Sequence, residues 1–163
     1  MWRVLKDIGM PEPLINALQC FYVANRHIIK VKGEHLLSFT AFSGIRQGCP
    51  LSPLLFALAV DIFLRRFQKS FPLATIRAFA DDIAMVTDNV LRDADQIMNL
   101  FADFGSVSGL ELGVSKTIVV PLWNVSKREL SHSLQSANSH WQGVAIRMFG
   151  KYLGFMIGPG KGQ

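Results

Sequence analysis

Cysteines, acidic residues and uninterrupted apolar runs are all scarce in this sequence of 163 residues. The two cysteines, Cys20 and Cys49, have no metal-ligand spacing and form no pattern with the four histidines, which argues against a zinc site or a disulfide framework. The longest apolar run, Leu54–Leu64, is interrupted by Asp61 and is shorter than the roughly 20 residues that span a bilayer. We therefore expect free thiols and a soluble, intracellular protein without a membrane partner, with no preference between nucleus and cytoplasm.

The charge balance is basic, because 17 Lys and Arg residues stand against 12 Asp and Glu residues and give a net charge of +5. This excess suits a polyanionic partner without establishing one. Arg3, Lys6 and Asp7 interrupt the first apolar residues, a pattern unlike a secretory signal. Half of the residues are hydrophobic, which is enough to bury a core at this length, so we expect a single domain over residues 1–163.

Two adjacent carboxylates, Asp81 and Asp82, are the most informative feature of the sequence. They lie between two short apolar runs, Ile76–Ala80 and Ile83–Thr87, and this pattern predicts a β-hairpin with the acidic pair at its tip. Two ionised carboxylates side by side repel each other, and a divalent cation such as magnesium is a common source of compensating charge. Asp-Asp is also a favourable turn sequence, so a solvated turn without metal is the competing interpretation.

A second informative stretch is the glycine-containing segment Ser43–Phe56. Gly44 and Gly48 allow a loop backbone to approach a ligand closely, and Arg46 and Gln47 offer hydrogen-bond donors for a phosphate or a base. The competing interpretation is an ordinary glycine turn followed by a helix. The residues of this segment alone leave both interpretations open.

Apolar spacing and breaker residues predict the elements of the first half of the chain. In chain order we expect a helix closed by Gly9, a helix opened by Pro11-Glu12-Pro13 with Leu14, Leu18, Phe21 and Tyr22 facing the core, a hairpin of His27–Val31 with Leu36–Phe42, and a helix over Pro53–Gln68 with Ser52 as its N-cap. The last of these helices is apolar nearly all round in its first half, which predicts burial beneath a sheet.

The second half contains one clear helix and several shorter elements. Val90–Val107 has apolar residues at helical spacing and is followed by Gly109, so it is predicted to be an amphipathic helix that covers one face of a sheet. Its core-facing residues are Ala94, Ile97, Met98, Phe101 and Phe104. The other predicted elements are a strand at Thr117–Leu122, a short helix with capping-box spacing at Ser126–Glu129, a loop at Ser131–His140, a hairpin of Val144–Phe149 with Tyr152–Ile157, and a frayed tail at Gly158–Gln163.

Four motifs resemble those of one enzyme family. The run Ile45-Arg46-Gln47-Gly48-Cys49-Pro50-Leu51-Ser52-Pro53 resembles motif B of reverse transcriptases, and Phe79-Ala80-Asp81-Asp82 resembles their metal-binding box of the form Tyr/Phe-x-Asp-Asp. Gly109–Thr117 is similar to motif D, and Lys151-Tyr152-Leu153-Gly154 is similar to motif E. The first motif is most similar to that of non-LTR (LINE-type) retrotransposon enzymes, and the resemblance covers most of the chain.

The resemblance implies an α/β fold of the α+β sandwich type, namely part of a polymerase palm with the ferredoxin-like order βαββαβ. Residues 1–42 would form the helices and hairpin before motif B, residues 43–122 the palm motifs B to D, and residues 123–163 a loop, the motif E-like hairpin and a tail. In the family an aspartate-bearing strand, motif A, precedes motif B, whereas Asp7 is the only aspartate before Ser43. We therefore expect a truncated palm that lacks its first strand and is marginally stable alone.

The resemblance also implies an RNA-directed DNA polymerase that depends on magnesium or manganese. The complete enzyme would bind an RNA template, a DNA primer and deoxynucleotides, and would transfer a nucleotide onto the primer 3′-hydroxyl. Asp81 would be the principal metal ligand and Asp82 the second, while Lys116 would protonate or neutralise the departing pyrophosphate; a solvated lysine is the alternative. The residues implied to contact nucleotide or template are Arg46, Gln47, Gly48, Phe79 and Ala80, with Phe79 packed under the turn.

Two other functions are compatible with the sequence. One is a non-catalytic module, derived from a reverse transcriptase, that binds nucleic acid or another partner. The other is a decayed segment without function. Because the motif A aspartate is missing, we expect the isolated chain to be inactive, and the sequence gives no indication of its oligomeric state.

Overall fold

The computed structural model describes residues 2–23, 25–36, 38–42, 44–137 and 139–159. The chain divides into two compact units, Met1–Ala59 and Val60–Gln163. Both contain helices and strands, as expected for an α/β protein. Three positions within the predicted elements, Leu37, Ser43 and Asn138, and the tail after Pro159 lie outside the described residues. Among the described helices, none is both long and apolar enough to cross a membrane.

The helices bear out most of the sequence-based boundaries to within a few residues. In the described residues they are α1 (Trp2–Asp7), α2 (Glu12–Tyr22), α3 (Ser52–Ser70), α4 (Val90–Ser108) and α5 (Lys127–Ala137), with short 3₁₀ helices at Val114–Lys116 and Ser139–Trp141.

The strands form two-stranded sheets throughout the described part of the chain. They are β1 (Asn25–Arg26), β2 (Ile29–Val31), β3 (Glu34–Leu36), β4 (Thr40–Ala41), β5 (Thr75–Phe79), β6 (Asp82–Val86), β7 (Ile118–Val119), β8 (Ala145–Ile146), β9 (Gly150–Tyr152) and β10 (Phe155–Ile157). Antiparallel pairs form between β1 and β4, β2 and β3, β5 and β6, and β9 and β10, whereas β7 and β8 are parallel.

The core of the first unit forms where α1, α2 and the start of α3 meet. Its buried members are Leu5, Ile15, Leu18 and Leu55. As predicted, α1 ends next to Gly9, which adopts a φ of 82° that a residue with a Cβ rarely takes. The prediction for α2 is confirmed for Leu18, which is buried, and for Tyr22, which packs against this core. It is wrong for Leu14 and Phe21, which are exposed, and Ile15 is buried in place of Leu14.

The core of the second unit is rich in aromatic rings. Phe63 on α3 packs against Phe101 and Phe104 on α4, with ring centroids 4.9 and 4.7 Å apart. The prediction for α4 is confirmed. Its predicted core residues are either buried or packed on this core, and they are Ala94, Ile97, Met98, Phe101 and Phe104. Gly109 ends the helix with a φ of 72°. This α3–α4 contact supplies the surface on which the acidic hairpin rests.

The expectation that the first half of α3 is buried on all sides is wrong for the described structure. Leu55, Val60 and Phe63 are buried, but Leu54 and Ile62 are exposed. A helix that is apolar all round needs cover on more than one side. Leu54 and Ile62 are thus apolar positions that the described residues of their own units leave uncovered.

The exit of α3 is fixed by one side chain. Gln68 Nε2 donates hydrogen bonds to the carbonyl oxygens of Phe71, Pro72 and Ala74, at 3.3, 3.2 and 3.0 Å. Carbonyl groups at a helix C-terminus have no partner within the helix and need such donors. Because β5 begins at Thr75, these bonds also set where the acidic hairpin starts.

The predicted loop at Ser131–His140 is wrong, because α5 continues to Ala137 and a 3₁₀ helix follows it. Leu130 and Leu134 are one helical turn apart and are both buried, and this packing outweighs the polar composition of the segment. Trp141 is buried as well, and its Nε1 donates to the carbonyl oxygen of Ala94 at 3.2 Å.

The last predicted hairpin has different partners in the structure. The segment Val144–Phe149 contributes β8, which pairs in parallel with β7, and the hairpin is formed instead by β9 and β10 around Leu153 and Gly154. The turn needs positive φ at both of these positions, 49° and 90°. At Gly158, which was predicted to fray, a Cβ would clash with the carbonyl oxygen of Met148, so the close packing there requires glycine.

A polar cluster joins the end of β6 to the start of α4. Asp93 is buried on α4, and its carboxylate accepts hydrogen bonds from Thr87 Oγ1 at 2.7 Å and from Arg92 Nε at 2.7 Å. Asn89 Oδ1 accepts from the Arg92 backbone N–H at 3.0 Å and caps the helix. The hydrogen bonds from Arg92, followed by that from Thr87, lower the pKa of Asp93 despite its burial.

Replacing Asp93 with Asn is expected to reduce the free energy of unfolding by about 1–2 kcal/mol at neutral pH, since charge-assisted hydrogen bonds are lost. The folded-state pKa of Asp93 is lowered, so its contribution is present above the unfolded pKa of about 3.9 and disappears as the pH falls through the folded-state value. Urea unfolding of both proteins should show a difference that shrinks below about pH 4. Asp7→Asn, at an exposed position on α1, is the control; a difference that persists at low pH would contradict the assignment.

Candidate functional site

The acidic pair lies at a tight hairpin turn, as the sequence predicts. Phe79 is paired with Asp82 at the end of the ladder, so that Ala80 and Asp81 form a two-residue turn. Ala80 has a φ of 50°, which costs a residue with a Cβ about 1–3 kcal/mol and is retained where the surrounding structure fixes it. The strain is located at the position that the family resemblance assigns to the polymerase centre.

The hairpin has one covered face and one open face. Ile76 is buried in the core of the second unit, and Ile83 and Met85 pack against that core. Side chains alternate along strands, so the opposite face presents Asp82 and its cross-strand partner Phe79. Core packing therefore holds the hairpin by one face and leaves the face that carries Asp82 accessible.

The expectation that Phe79 packs under the turn is wrong for this structure. Its side chain is 65% exposed. The reason is the strand alternation: Ile76 and Ala78 point towards the core, and Phe79 is one residue further along. Phe79 is thus an accessible ring next to two carboxylates.

Asp81 and Asp82 are both exposed and offer hard oxygen ligands of the kind that magnesium and manganese prefer. Within the described residues, no three His, Cys, Asp or Glu side chains come together as a metal-binding group. Two carboxylates can supply part of an octahedral shell, with the remaining oxygens from water, a phosphate or another carboxylate. The two carboxylates of this turn can therefore supply some, but not all, of the ligands of a divalent ion.

Lys116 ends the 3₁₀ helix that precedes β7 in the second unit, and it is exposed. Its backbone N–H donates to the carbonyl oxygen of Gly113 at 2.9 Å. Its aliphatic stem runs close to Gly113, where a Cβ would meet it at 3.8 Å. The turn thus fixes the backbone of Lys116, and its side chain is exposed.

The glycine loop of the first unit places Arg46, Gln47 and Gly48 together. Gly44 and Gly48 have φ values of 93° and 81°, as expected for turns that need glycine. The Arg46 guanidinium lies 5.9 Å from the ring centroid of Tyr22, in a cation–π contact. Its Nε is buried and has no hydrogen-bond partner in the described part of the chain. Arg46 therefore retains donor capacity for an anion.

The loop is tied to the start of α3 and to α2. Ser52 Oγ donates to the carbonyl oxygen of Arg46 and lies 3.4 Å from the Tyr22 hydroxyl. Hydrogen bonds from the backbone of Leu51 lower the pKa of the Cys49 thiol, and the Ser52 hydroxyl and the nearby Arg46 charge act in the same direction. The Ser52 hydroxyl, predicted as an N-cap, thus fixes the loop backbone, and α3 begins at Ser52 itself.

The structure places all the predicted site residues except Lys116 in two groups. Phe79, Ala80, Asp81 and Asp82 share the hairpin tip in the second unit, and Arg46, Gln47 and Gly48 share the loop in the first. The sequence reasoning missed Arg77, which is opposite Ala84 and lies on the same open face as Phe79 and Asp82. Counting back two residues from Phe79 along the strand would have found it.

The comparisons with known proteins agree with these motifs. The family model described as "Reverse transcriptase (RNA-dependent DNA polymerase)" matches residues 1–157. The chain is 25% identical over 135 residues to the Retrovirus-related Pol polyprotein from type-2 retrotransposable element R2DM of Drosophila melanogaster, which covers 79% of the chain. Its alignment with a Transposon TX1 protein of Xenopus laevis has a length of 167 and an identity of 25%, and it covers 91% of the chain.

A third relative is the Retrotransposable element SLACS 132 kDa protein of Trypanosoma brucei gambiense, which is 45% identical over 42 residues, 26% of the chain. The chain spans only 13%, 12% and 4% of the lengths of these three proteins. The names of the relatives confirm the resemblance to non-LTR retrotransposon proteins, and the match of the family model extends over nearly the whole chain. The chain therefore belongs to the reverse transcriptase (RNA-dependent DNA polymerase) family.

Proposed function

We propose that this chain contributes the acidic hairpin and the nucleotide-contacting loop to a polymerase centre that extends a DNA primer on an RNA template. The observation that carries the proposal is the exposed turn of Asp81 and Asp82, held by a hairpin whose other face is packed on the core. In a chain that matches the reverse transcriptase family over residues 1–157, such a turn corresponds to the metal-binding box.

Each site residue has a role that its surroundings support. Asp81 and Asp82 hold a divalent ion, magnesium or manganese, because their carboxylates are adjacent and accessible. Such an ion, when bound, supplies Lewis-acid stabilisation of the charge that develops on a reacting phosphate. Lys116, whose backbone is fixed by the 3₁₀ turn and whose side chain is exposed, neutralises the departing pyrophosphate.

The remaining residues position the substrates. Arg46 donates to a phosphate through the donor that the described residues leave unpaired. Gln47 and Gly48 line the nucleotide and template pocket, where the positive φ of Gly48 lets the backbone approach closely. Phe79 offers its open ring to a base or sugar, and Ala80 leaves room for the primer end because its side chain is small.

The finer architecture is also a proposal: β5, β6 and β7 with α3 and α4 are the later part of a ferredoxin-like palm. In the described residues β6 pairs only with β5, and β7 pairs only with β8. A strand inserted between β6 and β7 would complete the sheet, and the exposed apolar residues of α3 indicate missing cover. Residues 1–42 contain no counterpart of the family's aspartate-bearing strand.

Manganese titration followed by amide NMR tests the metal assignment on the chain itself. Paramagnetic broadening is expected first at residues 80–83, with a dissociation constant on the order of 1 mM because only two carboxylates contribute. Asp81→Asn combined with Asp82→Asn should abolish the broadening, whereas Asp103→Asn, at an aspartate paired with Arg66 elsewhere in the second unit, should not. Broadening that starts at other residues would contradict the metal site and favour a non-catalytic binding module.

A further inference from the structure

Two exposed aromatic rings, neither of which has been assigned a role above, are stacked in the first unit. The rings of His27 and Phe39 have centroids 5.0 Å apart and planes inclined by only 14°. The backbone fixes this pair, because the His27 N–H donates to the carbonyl oxygen of Phe39 at 2.9 Å, directly beyond the β1–β4 ladder. Phe39 is nevertheless 60% exposed, so the stack is held in place without being covered.

The chain segment that carries the pair is cationic. Between Arg26 and Phe39 the sequence has three lysine or arginine side chains, Arg26, Lys30 and Lys32, and a single carboxylate, Glu34. Lys30 follows His27 by three residues, which places its Cα within about 10 Å along an extended chain. Arg26, Lys30 and Lys32 are all exposed. The chemistry offered here is a flat π-surface surrounded by positive charge.

We propose that the His27–Phe39 stack is a platform for an unpaired base of a single-stranded nucleic acid, with Arg26, Lys30 and Lys32 contacting the neighbouring phosphates. Proteins bind single strands by this combination of aromatic stacking and a basic surface. An apolar protein surface would cover the rings but would leave three cations against one carboxylate without a counter-charge. The inference rests on the proposed function, since it names where the polymerase unit holds an unpaired strand.

The test measures binding of the full 163-residue chain to fluorescein-labelled strands of about 15 nucleotides, by fluorescence anisotropy at constant salt in EDTA. The strands are oligouridylate, oligodeoxythymidylate and an abasic deoxyribose strand of the same length. Phe39→Ala and His27→Ala are each expected to weaken binding of the base-bearing strands about tenfold and to leave the abasic strand unaffected. The two base-bearing strands distinguish RNA from DNA as the preferred ligand.

Matched variants separate stacking from other effects. Phe21→Ala removes a phenylalanine of similar exposure, 59%, on α2 and should not change binding. Phe39→Trp should retain binding, because a larger ring still stacks. Lys30→Gln combined with Lys32→Gln should weaken all three strands alike and reduce the slope of log affinity against log salt by about two.

A measurement on the unmodified chain does not depend on any variant remaining folded. A 2-aminopurine base within the strand should lose fluorescence when it binds to the unmodified chain. No quenching in the unmodified chain, an equal weakening of base-bearing and abasic strands by Phe39→Ala, or a weakening by Phe21→Ala as large as that by Phe39→Ala would each overturn the platform. Asp81→Asn with Asp82→Asn should bind as tightly as the unmodified chain in EDTA, so a failure of the metal site remains distinguishable from a failure of this proposal.

Discussion

Replacing Phe67 with alanine is expected to lower the free energy of unfolding by about 3–5 kcal/mol. Phe67 is fully buried on α3, and its ring lies 4.8 Å from that of Phe71 and 5.9 Å from that of Phe63. Removing it deletes a large apolar surface and leaves a cavity that α3 and α4 cannot close without shifting. Because domains are stable by only about 5–15 kcal/mol, the variant should lose a large share of its stability in urea or thermal unfolding.

Phe155→Ala is the matched control for this prediction. The residue is the same type and belongs to the same unit, but it is 76% exposed on β10. We expect a change within about 0.5 kcal/mol there. If both substitutions cost the same, or if Phe67→Ala costs less than about 1 kcal/mol, the aromatic cluster is not the core of this unit.

The sequence predicted best where one local pattern determines the outcome. The acidic hairpin was found because two short apolar runs flank a turn sequence, although both strands begin and end one residue earlier than predicted, so that Asp82 pairs with Phe79. Helix α4 was found because its apolar period and Gly109 agree. In both cases local propensity and burial point the same way, so no distant contact is needed to choose between alternatives.

The sequence predicted less well where distant contacts decide. Helix α5 is mostly polar apart from Leu130 and Leu134, and the burial of these two against the core outweighs its serines. The parallel pairing of β7 with β8 joins segments more than 20 residues apart and has no local turn signal. A one-residue error of facing on α2 likewise exchanged Leu14 for Ile15.

The predictions for the candidate site also succeeded where the pattern is local and failed where distant contacts decide. The residues of each motif are adjacent in sequence, so they could be named from the sequence alone. The contacts that organise the glycine loop could not, because Tyr22 and Ser52 are separated by 30 residues and meet only in the fold. The exposure of Phe79 and the unpaired Nε of Arg46 are properties of packing, which the sequence alone does not reveal.

Asp81→Asn is expected to lower primer extension at least about a hundredfold in a protein that includes the missing strand. To make that protein, the aspartate-bearing strand and preceding segment of the Drosophila melanogaster relative would be joined ahead of this chain. Asn keeps the shape of the turn but removes one of the two charges that hold the divalent ion, so stabilisation of the developing phosphate charge is lost. Incorporation of labelled deoxynucleotides on a primed RNA template with magnesium gives the rate.

Glu129→Gln, at an exposed position on α5, is the matched control and should leave the rate unchanged.

The 163-residue chain without the added strand should show no extension above the level of its own Asp81→Ala, Asp82→Ala variant, because two carboxylates from one turn do not complete the metal shell. The added strand should also raise the free energy of unfolding, since it would pair with the free edges of β6 and β7 and cover apolar residues of α3. Extension by the short chain, or a joined protein that gains neither stability nor an Asp81-dependent rate, would show that the chain is a self-contained module and that the palm assignment is wrong.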